Sequence, residues 1–157
     1  MYRSISIQED DFIFGDLYES FRLKCSAKTG GLVAFVGFVR DMNFIDGESD
    51  QIEILELEHY PGMTESEIEI IIDKAKQRWP LDGVTVIHRV GRLQPLENIV
   101  FVGCASAHRH AAFDAANFIM DFLKTNAPFW KKEDRESGAA WVDSRETDYA
   151  ALRRWDE

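Results

Sequence analysis

Residues 106–132 read SAHRHAAFDAANFIMDFLKTNAPFWKK, a pattern that predicts one amphipathic helix. Apolar side chains recur there at i, i+1, i+4, i+7, i+8 and i+11, which places them on one helical face. They are Ala112, Phe113, Ala116, Ile119, Met120 and Leu123. We expect this face to pack into the core and not to hold a cofactor. Ser106 is the predicted N-cap, and Pro128 ends the helix.

Positive charge marks both ends of this helix. His108, Arg109 and His110 follow the predicted cap, although the exposed amides of a helix start already carry about half a positive charge. Cations at that place are mildly destabilising unless an anion binds beside them. At the other end Lys124 lies in the last turn, and Phe129-Trp130 lead into Lys131-Lys132. We expect these last four residues to form an ordered basic loop.

Composition limits the function classes. The chain has 157 residues, 45% of them hydrophobic, which suits a single domain spanning 1–157 with its own core. A net charge of -10 argues against nonspecific binding to nucleic acid or an anionic membrane. The N-terminus MYRSISIQEDDF does not resemble a signal peptide, so we expect a cytoplasmic protein. Cys25 and Cys104 fit no metal-ligand or disulfide spacing, and we expect two buried thiols.

The N-terminal half predicts strands and helices in alternation. An edge strand is expected over 4–8, then a helix from Phe14 to Cys25, then a buried strand over 31–40 with a bulge or a close backbone approach at Gly37. The Asp, Asn and Gly content of 41–50 predicts a solvated loop that would form a lid beside a site. A strand over 52–60 follows. Its alternation of apolar and polar residues shifts by one position, which predicts either a bulge or a strand that is buried on both faces.

The remaining segments complete an α+β pattern. Thr64 and Glu67 form a predicted capping box for a helix that ends at Pro80. Strands are expected over 83–91 and 98–106, and the tail 138–157 is expected to pack on the domain or on a partner. This order predicts an α+β fold with a mixed or antiparallel sheet and helices packed on one face.

The residues that could carry chemistry are mostly cations. No phosphate-binding glycine loop, HExxH motif or Cys/His cluster is present, so we expect neither a metal nor a cofactor. Surface solvation explains any single cation equally well, but as a set they lie at predicted element ends beside aromatic residues. That placement favours a planar anionic ligand bearing phosphate or carboxylate. The set comprises Arg40, His108, Arg109, Lys124, Lys131 and Lys132. His59 and His88 are expected to be structural.

Helix length constrains how these cations combine. Arg109 and Lys124 are separated by 15 positions, or roughly 22 Å along a helix. One small-molecule pocket can hardly include both ends of the same helix. Either the chain has two sites, or a twofold dimer packs these helices antiparallel, so that His108 and Arg109 of one chain meet Lys124 and Lys131 of the other. We favour the dimer.

The sequence resembles the large, catalytic subunit of molybdopterin synthase over roughly residues 30 to 155. The matching segments are long, ordered and spread along the chain. They are LEHYPGMTE (57–65), RWPL (78–81), VTVIHRVG (84–91), IVFVG (99–103), SAHR (106–109), FIMDFLKT (118–125), APFWKKE (127–133) and WVDSRETD (141–148). The resemblance implies an α+β fold with a hammerhead-type element.

The resemblance also implies an activity and its partners. In this family a small ubiquitin-like subunit inserts its C-terminal Gly-Gly thiocarboxylate into the large subunit. Sulfur passes in two rounds to cyclic pyranopterin monophosphate, which forms the dithiolene of molybdopterin in molybdenum cofactor biosynthesis. The implied assembly is a heterotetramer built on a homodimer of large subunits.

Site residues follow from the matching motifs. Lys124 and Lys131 match the catalytic lysines, which would orient the thiocarboxylate, shuttle protons and stabilise an oxyanion. The other matches are substrate-binding positions: Arg40, His108, Arg109, an arginine contributed across the dimer (Arg145), and two apolar pocket residues, Met120 and Phe35. This chain has Phe38 where some family members carry lysine, so one cation of the family pattern is missing.

Two other function classes remain open from the sequence. One is a non-catalytic module that binds an anionic pterin; the other is a scaffold for a ubiquitin-like partner. A binding module should tolerate Lys124→Arg, whereas sulfur transfer through a lysine that changes protonation should not. A scaffold should bind its partner without any small molecule and form no product.

Overall fold

The computed structural model describes residues 1–45, 48–135, 138–142 and 146–156. Within them the strands are β1 (Tyr2–Gln8), β2 (Gly31–Phe38), β3 (Met42–Ile45), β4 (Glu48–His59), β5 (Gly83–Arg89), β6 (Gly91–Leu93), β7 (Asn98–Ser106), β8 (Phe129–Arg135) and β9 (Gly138–Val142). The helices are α1 (Phe14–Lys24), α2 (Met63–Arg78), α3 (Arg109–Thr125) and α4 (Glu146–Arg153). This composition confirms the predicted α+β class.

The strands form two sheets in the described part of the chain, not the single sheet expected. The first has the order β1-β5-β7-β2, with β1 parallel to β5 and the other pairs antiparallel. In the second, β4 and β8 form the centre, β3 and β9 lie outside them, and β6 pairs with β4. The expected edge strand at the N-terminus is confirmed as β1.

The main core lies between the first sheet and two helices. Ile68, Ile71 and Ile72 of α2 pack with Val84 and Val86 of β5 and with an alanine-rich face of α3. The residues of that face, Ala111, Ala112, Ala115 and Ala116, are all buried, and their small side chains let the helix approach the strands closely. Phe101 and Ile87 point to the other face of the sheet and pack near α1. The prediction of helices on one face was therefore wrong for α1.

Several local predictions need correction. β2 is an edge strand of half-buried and exposed residues, not a buried one, although its register does shift between Gly37 and Phe38 as the predicted bulge requires. In β4 the shift lies between Ile52 and Ile54. The predicted loop over 41–50 contains β3 paired antiparallel with β4. Asp46 and Gly47 of the predicted loop lie outside the described residues.

The predicted basic loop is also a strand. Residues 129–132 begin β8, which pairs with β4 on one side and β9 on the other. The sequence of β8, FWKKEDR, has two aromatic residues followed by a run of charged ones. Its backbone pairs with both neighbouring strands, so a high lysine content did not exclude extended structure. In the pairing of β8 with β4, Lys131 lies opposite Leu57 and Lys132 lies opposite Glu56.

The two predicted helix caps were placed wrongly. Gly62, at φ 87°, is the N-cap of α2, and its N–H donates to the Glu65 carboxylate at 2.6 Å. Thr64 lies inside the helix, where its buried hydroxyl accepts from Tyr60 N–H and donates to the carbonyl of Pro128. This contact fixes the start of α2 against the segment that precedes β8.

The tail packs on the domain, which was one of its two expected positions; the other was on a partner. The Trp155 ring lies 5.6 Å from that of Trp79 and 5.4 Å from that of Phe118, measured between centroids. No helix in the described ranges is long and apolar enough to cross a membrane.

Candidate functional site

The N-terminus of α3 lies beside a cavity of about 450 Å³, lined by Gly30, Ala107, His108, Arg109 and His110. We call it the α3 N-terminal pocket. His108, not Ser106, is the N-cap, and it makes no side-chain capping bond. Ser106 ends β7, and its buried hydroxyl donates to the Pro80 carbonyl at 2.7 Å. The predicted cap was wrong because α3 begins later in the chain, although the Ser106 hydroxyl does accept from the His108 N–H at 3.4 Å just before the helix.

The electrostatics of this pocket favour an anion. No acidic residue lies in the first turn of α3, so the free amides and the side chains of His108 and Arg109 face no local carboxylate on that turn. All three lining residues from 108 to 110 are exposed. Helix amides with adjacent cations form a site for phosphate or carboxylate.

Close backbone packing shapes the same pocket. Gly30 N–H donates to the Ser106 carbonyl at 3.0 Å. A Cβ atom at Gly30 would lie 2.1 Å from the carbonyl oxygen of Ala107, so only glycine fits between the start of β2 and the start of α3.

A second cavity of about 420 Å³ lies between β2 and the C-terminal half of α3, and we call it the β2–α3 groove. Its apolar walls include Phe35 of β2 and Phe113 and Met120 of α3, and Lys124 and Asp148 stand at its polar end. The full lining is Val33, Ala34, Phe35, Phe113, Ala116, Asn117, Met120, Asp121, Lys124 and Asp148. Apolar walls with a cation at one end suit an extended, uncharged chain segment that ends in an anion.

The groove corrects the core prediction for α3. Phe113 is 55% exposed and Phe35 is 45% exposed, although periodicity placed Phe113 in the core. Met120 is half-buried. The apolar face is therefore wider than the core contact, and its rim forms the wall of a groove.

The structure brings three predicted site residues together and separates two from them. Phe35, Met120 and Lys124 line the groove, whereas His108 and Arg109 line the α3 N-terminal pocket. The two cavities share no lining residue. Arg40 and Lys131 line neither of them. Arg145 lies outside the described residues.

Arg40 and Lys131 have defined positions elsewhere. Arg40 is exposed and follows Val39, which is bonded through its backbone to Glu97 and Leu96 on the turn before β7. Lys131 is exposed on β8, and its charge acts on His88. Their contribution to either cavity stays a prediction.

His88 is a core histidine in this structure. Its ring stacks on that of Phe129 with centroids 3.9 Å apart, and its Nδ1 donates to the carbonyl of Arg89 at 2.8 Å. Burial lowers the pKa of His88 to about 4, although the hydrogen bond to the Arg89 carbonyl opposes this shift; Lys131 and His59 add smaller lowering contributions. His59 lies 3.4 Å from the Glu65 carboxylate, measured from Nε2. Both positions fit the structural role expected for these histidines.

The two cysteines differ. Cys104 is buried in β7, and burial raises the pKa of its thiol to about 12, which makes it unreactive. Cys25 is only half-buried, so the expectation of two buried thiols was wrong for Cys25. Within the described residues, no group of three or more His, Cys, Asp and Glu side chains is placed to hold a metal ion.

Asp121 and Asp148 are groove residues that the sequence did not reveal. Asp121 is on the same helix as Lys124, and Asp148 comes from α4, 24 positions after the lysine. The Lys124 Nζ lies 3.7 Å from the Asp148 Oδ1. A pattern search along the chain cannot detect this pair, because the contact depends on how α4 folds back onto α3.

The described part of the chain has an α+β fold with a cation-lined pocket at the start of α3 and an apolar-walled groove that reaches Lys124. Comparison with known proteins identifies its family. The family model described as MoaE protein matches residues 7–126. The molybdopterin synthase catalytic subunit of Pseudomonas aeruginosa is 59% identical over 82% of this chain and 83% of that protein. That of Vibrio cholerae is 49% identical over 99% of this chain and all of its own length.

A solved structure agrees over the full length. The molybdopterin biosynthesis MoaE protein from Burkholderia ambifaria superposes with a TM-score of 0.82 at 47% identity, covering 100% of this chain and 99% of that one. The chain belongs to the MoaE protein family.

Proposed function

We propose that this chain is the catalytic subunit of a molybdopterin synthase. It transfers sulfur from the C-terminal thiocarboxylate of a small ubiquitin-like subunit to cyclic pyranopterin monophosphate. Family membership supports the enzyme class, since the full-length relatives carry that name. The observation that carries the chemistry is the β2–α3 groove, where apolar walls lead to Lys124.

A peptide terminus is the ligand that we propose for the groove. A Gly-Gly tail has no side chains, so it can pass between Phe35 and Met120 and bring its terminal anion to the lysine ammonium. In each of two rounds, the thiocarboxylate sulfur would bond to a carbon of the pterin substrate as a carbon–oxygen bond of that substrate breaks. Water would then attack the acyl carbon of the resulting thioester, which releases the carboxylate and leaves the sulfur on the substrate as a thiol. The ammonium would stabilise the oxyanion formed on that carbon.

The α3 N-terminal pocket would hold the substrate phosphate. His108 and Arg109 stand beside free helix amides there, a combination that binds phosphate well. Arg40, Lys131 and Arg145 are proposed from their motifs to complete the anion contacts and the chemistry, with Lys131 as the second catalytic lysine.

A twofold dimer would join the two cavities. Arg109 and Lys124 lie roughly 22 Å apart along α3, which exceeds the length of one small substrate. Antiparallel packing of two α3 helices would bring the pocket of one chain to the groove of the other. We propose this homodimer, with a small subunit bound to each chain, as the working assembly. A cytoplasmic location is part of the same proposal.

The test is conversion of cyclic pyranopterin monophosphate to molybdopterin with a thiocarboxylated small subunit. We expect product from the wild type and a loss of at least about 100-fold in Lys124→Ala and Lys124→Arg. Lys76→Ala is the matched control, because Lys76 is another exposed lysine in the last turn of a helix. A wild type that binds the small subunit but forms no product would refute the proposal.

A further inference from the structure

A carboxylate from the C-terminal helix faces the groove lysine. Asp148 lies in the first turn of α4, and its Oδ1 is 3.7 Å from the Lys124 Nζ. The aspartate side chain is 21% exposed and the lysine side chain is 51% exposed. Both line the same cavity, so this ion pair stands at the groove.

The C-terminal segment that carries Asp148 is firmly attached to α3. The Asp121 carboxylate accepts hydrogen bonds from the Arg154 guanidinium and from the Trp155 indole N–H, the latter at 2.7 Å. The Trp155 carbonyl accepts from Arg78, and its ring packs between Trp79 and Phe118. These contacts lie beyond the end of α4, so they hold the helix in place without using Asp148.

The charged groups around Lys124 have separate tasks. The groove residues from β2, Val33, Ala34 and Phe35, are uncharged, and α3 contributes Asp121. The Asp121 carboxylate is directed to Arg154 and Trp155. Asp148 of α4 is a carboxylate that the structure pairs with the Lys124 ammonium.

Resting on the proposed function, we propose that Asp148 is a positioning residue that holds the Lys124 ammonium toward the groove. A lysine has four rotatable side-chain bonds, and an exposed one samples many rotamers. Pairing with a carboxylate on a fixed helix restricts those rotamers. An ammonium has three donors, so Lys124 can contact Asp148 and still donate to a bound thiocarboxylate.

This role predicts an effect on the chemical step and not on folding or partner binding. The experiment measures the single-turnover rate of sulfur transfer in the complex, the affinity for the small subunit, and the melting temperature. Asp148→Asn removes the charge at nearly constant size, and Asp148→Glu keeps it on a longer arm. Glu146→Gln is the matched control, since it removes a carboxylate from the same turn of α4 at an exposed position.

We expect Asp148→Asn to lower the single-turnover rate about tenfold with unchanged affinity and melting temperature, and Asp148→Glu to recover part of the loss. Glu146→Gln should keep the wild-type rate. An unchanged single-turnover rate in Asp148→Asn overturns the inference. A faster rate also overturns it, because it would mean that Asp148 competes with the thiocarboxylate for the lysine. Equal losses in the Asn and Glu variants also overturn it. Absence of product from the wild type would instead overturn the proposed function.

Discussion

Thr85 has a buried side chain whose hydroxyl has no hydrogen-bond partner within the described part of the chain. It lies in the middle of β5, between β1 and β7. Valine has nearly the same shape and no polar group to desolvate. We therefore expect Thr85→Val to raise the free energy of unfolding by about 1 kcal/mol, measured by urea denaturation. A decrease would mean that the hydroxyl is hydrogen-bonded in solution.

His88 should make stability depend on pH. Its pKa is about 4 in the folded protein against 6.5 for an unperturbed histidine, so the unfolded chain binds the proton more tightly. The free energy of unfolding therefore keeps the full contribution of neutral His88 above pH 6.5, and it decreases as the pH falls from 6.5 toward 4. Between about pH 7 and about pH 5, the free energy of unfolding should decrease by about 2 kcal/mol because of this group.

The measurement compares wild type and His88→Gln by urea denaturation at both pH values. Glutamine cannot titrate, although its amide can still donate to the Arg89 carbonyl. We expect the variant to be less stable at neutral pH and to show the smaller decrease on acidification. Parallel pH dependences would contradict the assignment, because all other titrating groups are common to both proteins.

Site residues could be predicted from sequence where a single element carries them. Lys124 was predicted because helical spacing and Pro128 located the end of α3. Phe113 was misplaced, because periodicity gives the direction of a side chain but not the width of the surface that covers it. Asp148 was missed, because its contact with Lys124 forms only when two distant segments meet.

Gly30 and Gly31 provide a matched pair at the junction of β2 and α3. A Cβ at Gly30 would meet the Ala107 carbonyl oxygen at 2.1 Å, whereas a Cβ at Gly31 has nothing within 4 Å. We expect Gly30→Ala to lower the free energy of unfolding by about 2 kcal/mol or more, because backbone must move. It should also weaken phosphate binding in the α3 N-terminal pocket.

Gly31→Ala should stay within about 0.5 kcal/mol of the wild type and bind phosphate normally. Urea denaturation and phosphate titration followed by NMR check both variants. Equal stability of the two would show that α3 can shift without cost, and the close packing would then not define the pocket.

Elements were predictable when their apolar pattern was strong. Helices α1, α2 and α3 and strands β5 and β7 all lie where periodicity or apolar runs placed them. β3 was taken for a loop because residues 41–50 are rich in Asp, Asn and Gly, and β8 because its sequence is basic at the start. Such strands are stabilised by pairing with β4, and strand pairing is a long-range property that local composition does not reveal.

The assembly of sheets was less predictable than the elements. The chain pattern predicted one sheet with helices on one face, whereas two sheets form and α1 covers the opposite face of the first. Apolar residues at successive positions of β5 and β7 are buried on both faces, so each face needs its own covering layer. That residues 1–157 act as a single domain stays a prediction.

Two cavities at opposite halves of α3 make the oligomeric state a question of mechanism. If one chain held a complete site, substrate would have to extend over the roughly 22 Å between Arg109 and Lys124. The exposed Phe35 and Phe113 add an apolar surface beside the groove, which a second chain could cover. We expect a dimer by light scattering at micromolar concentration, and a monomer would exclude a site shared between chains.

Mixed dimers test the shared site directly. His108→Ala disables the pocket and Lys124→Ala disables the groove, so each variant alone should be inactive as a homodimer. In a mixed dimer with antiparallel α3 helices, one composite site carries both substitutions and the other carries none. Co-expression with two different affinity tags isolates this species, and we expect about half of the wild-type activity per dimer.

If each chain instead builds its whole site alone, both sites of the mixed dimer are damaged and no activity returns. Dimers that carry the two different tags but have Lys124→Ala on both chains serve as the inactive control. Recovery would therefore establish that the pocket of one chain works with the groove of the other.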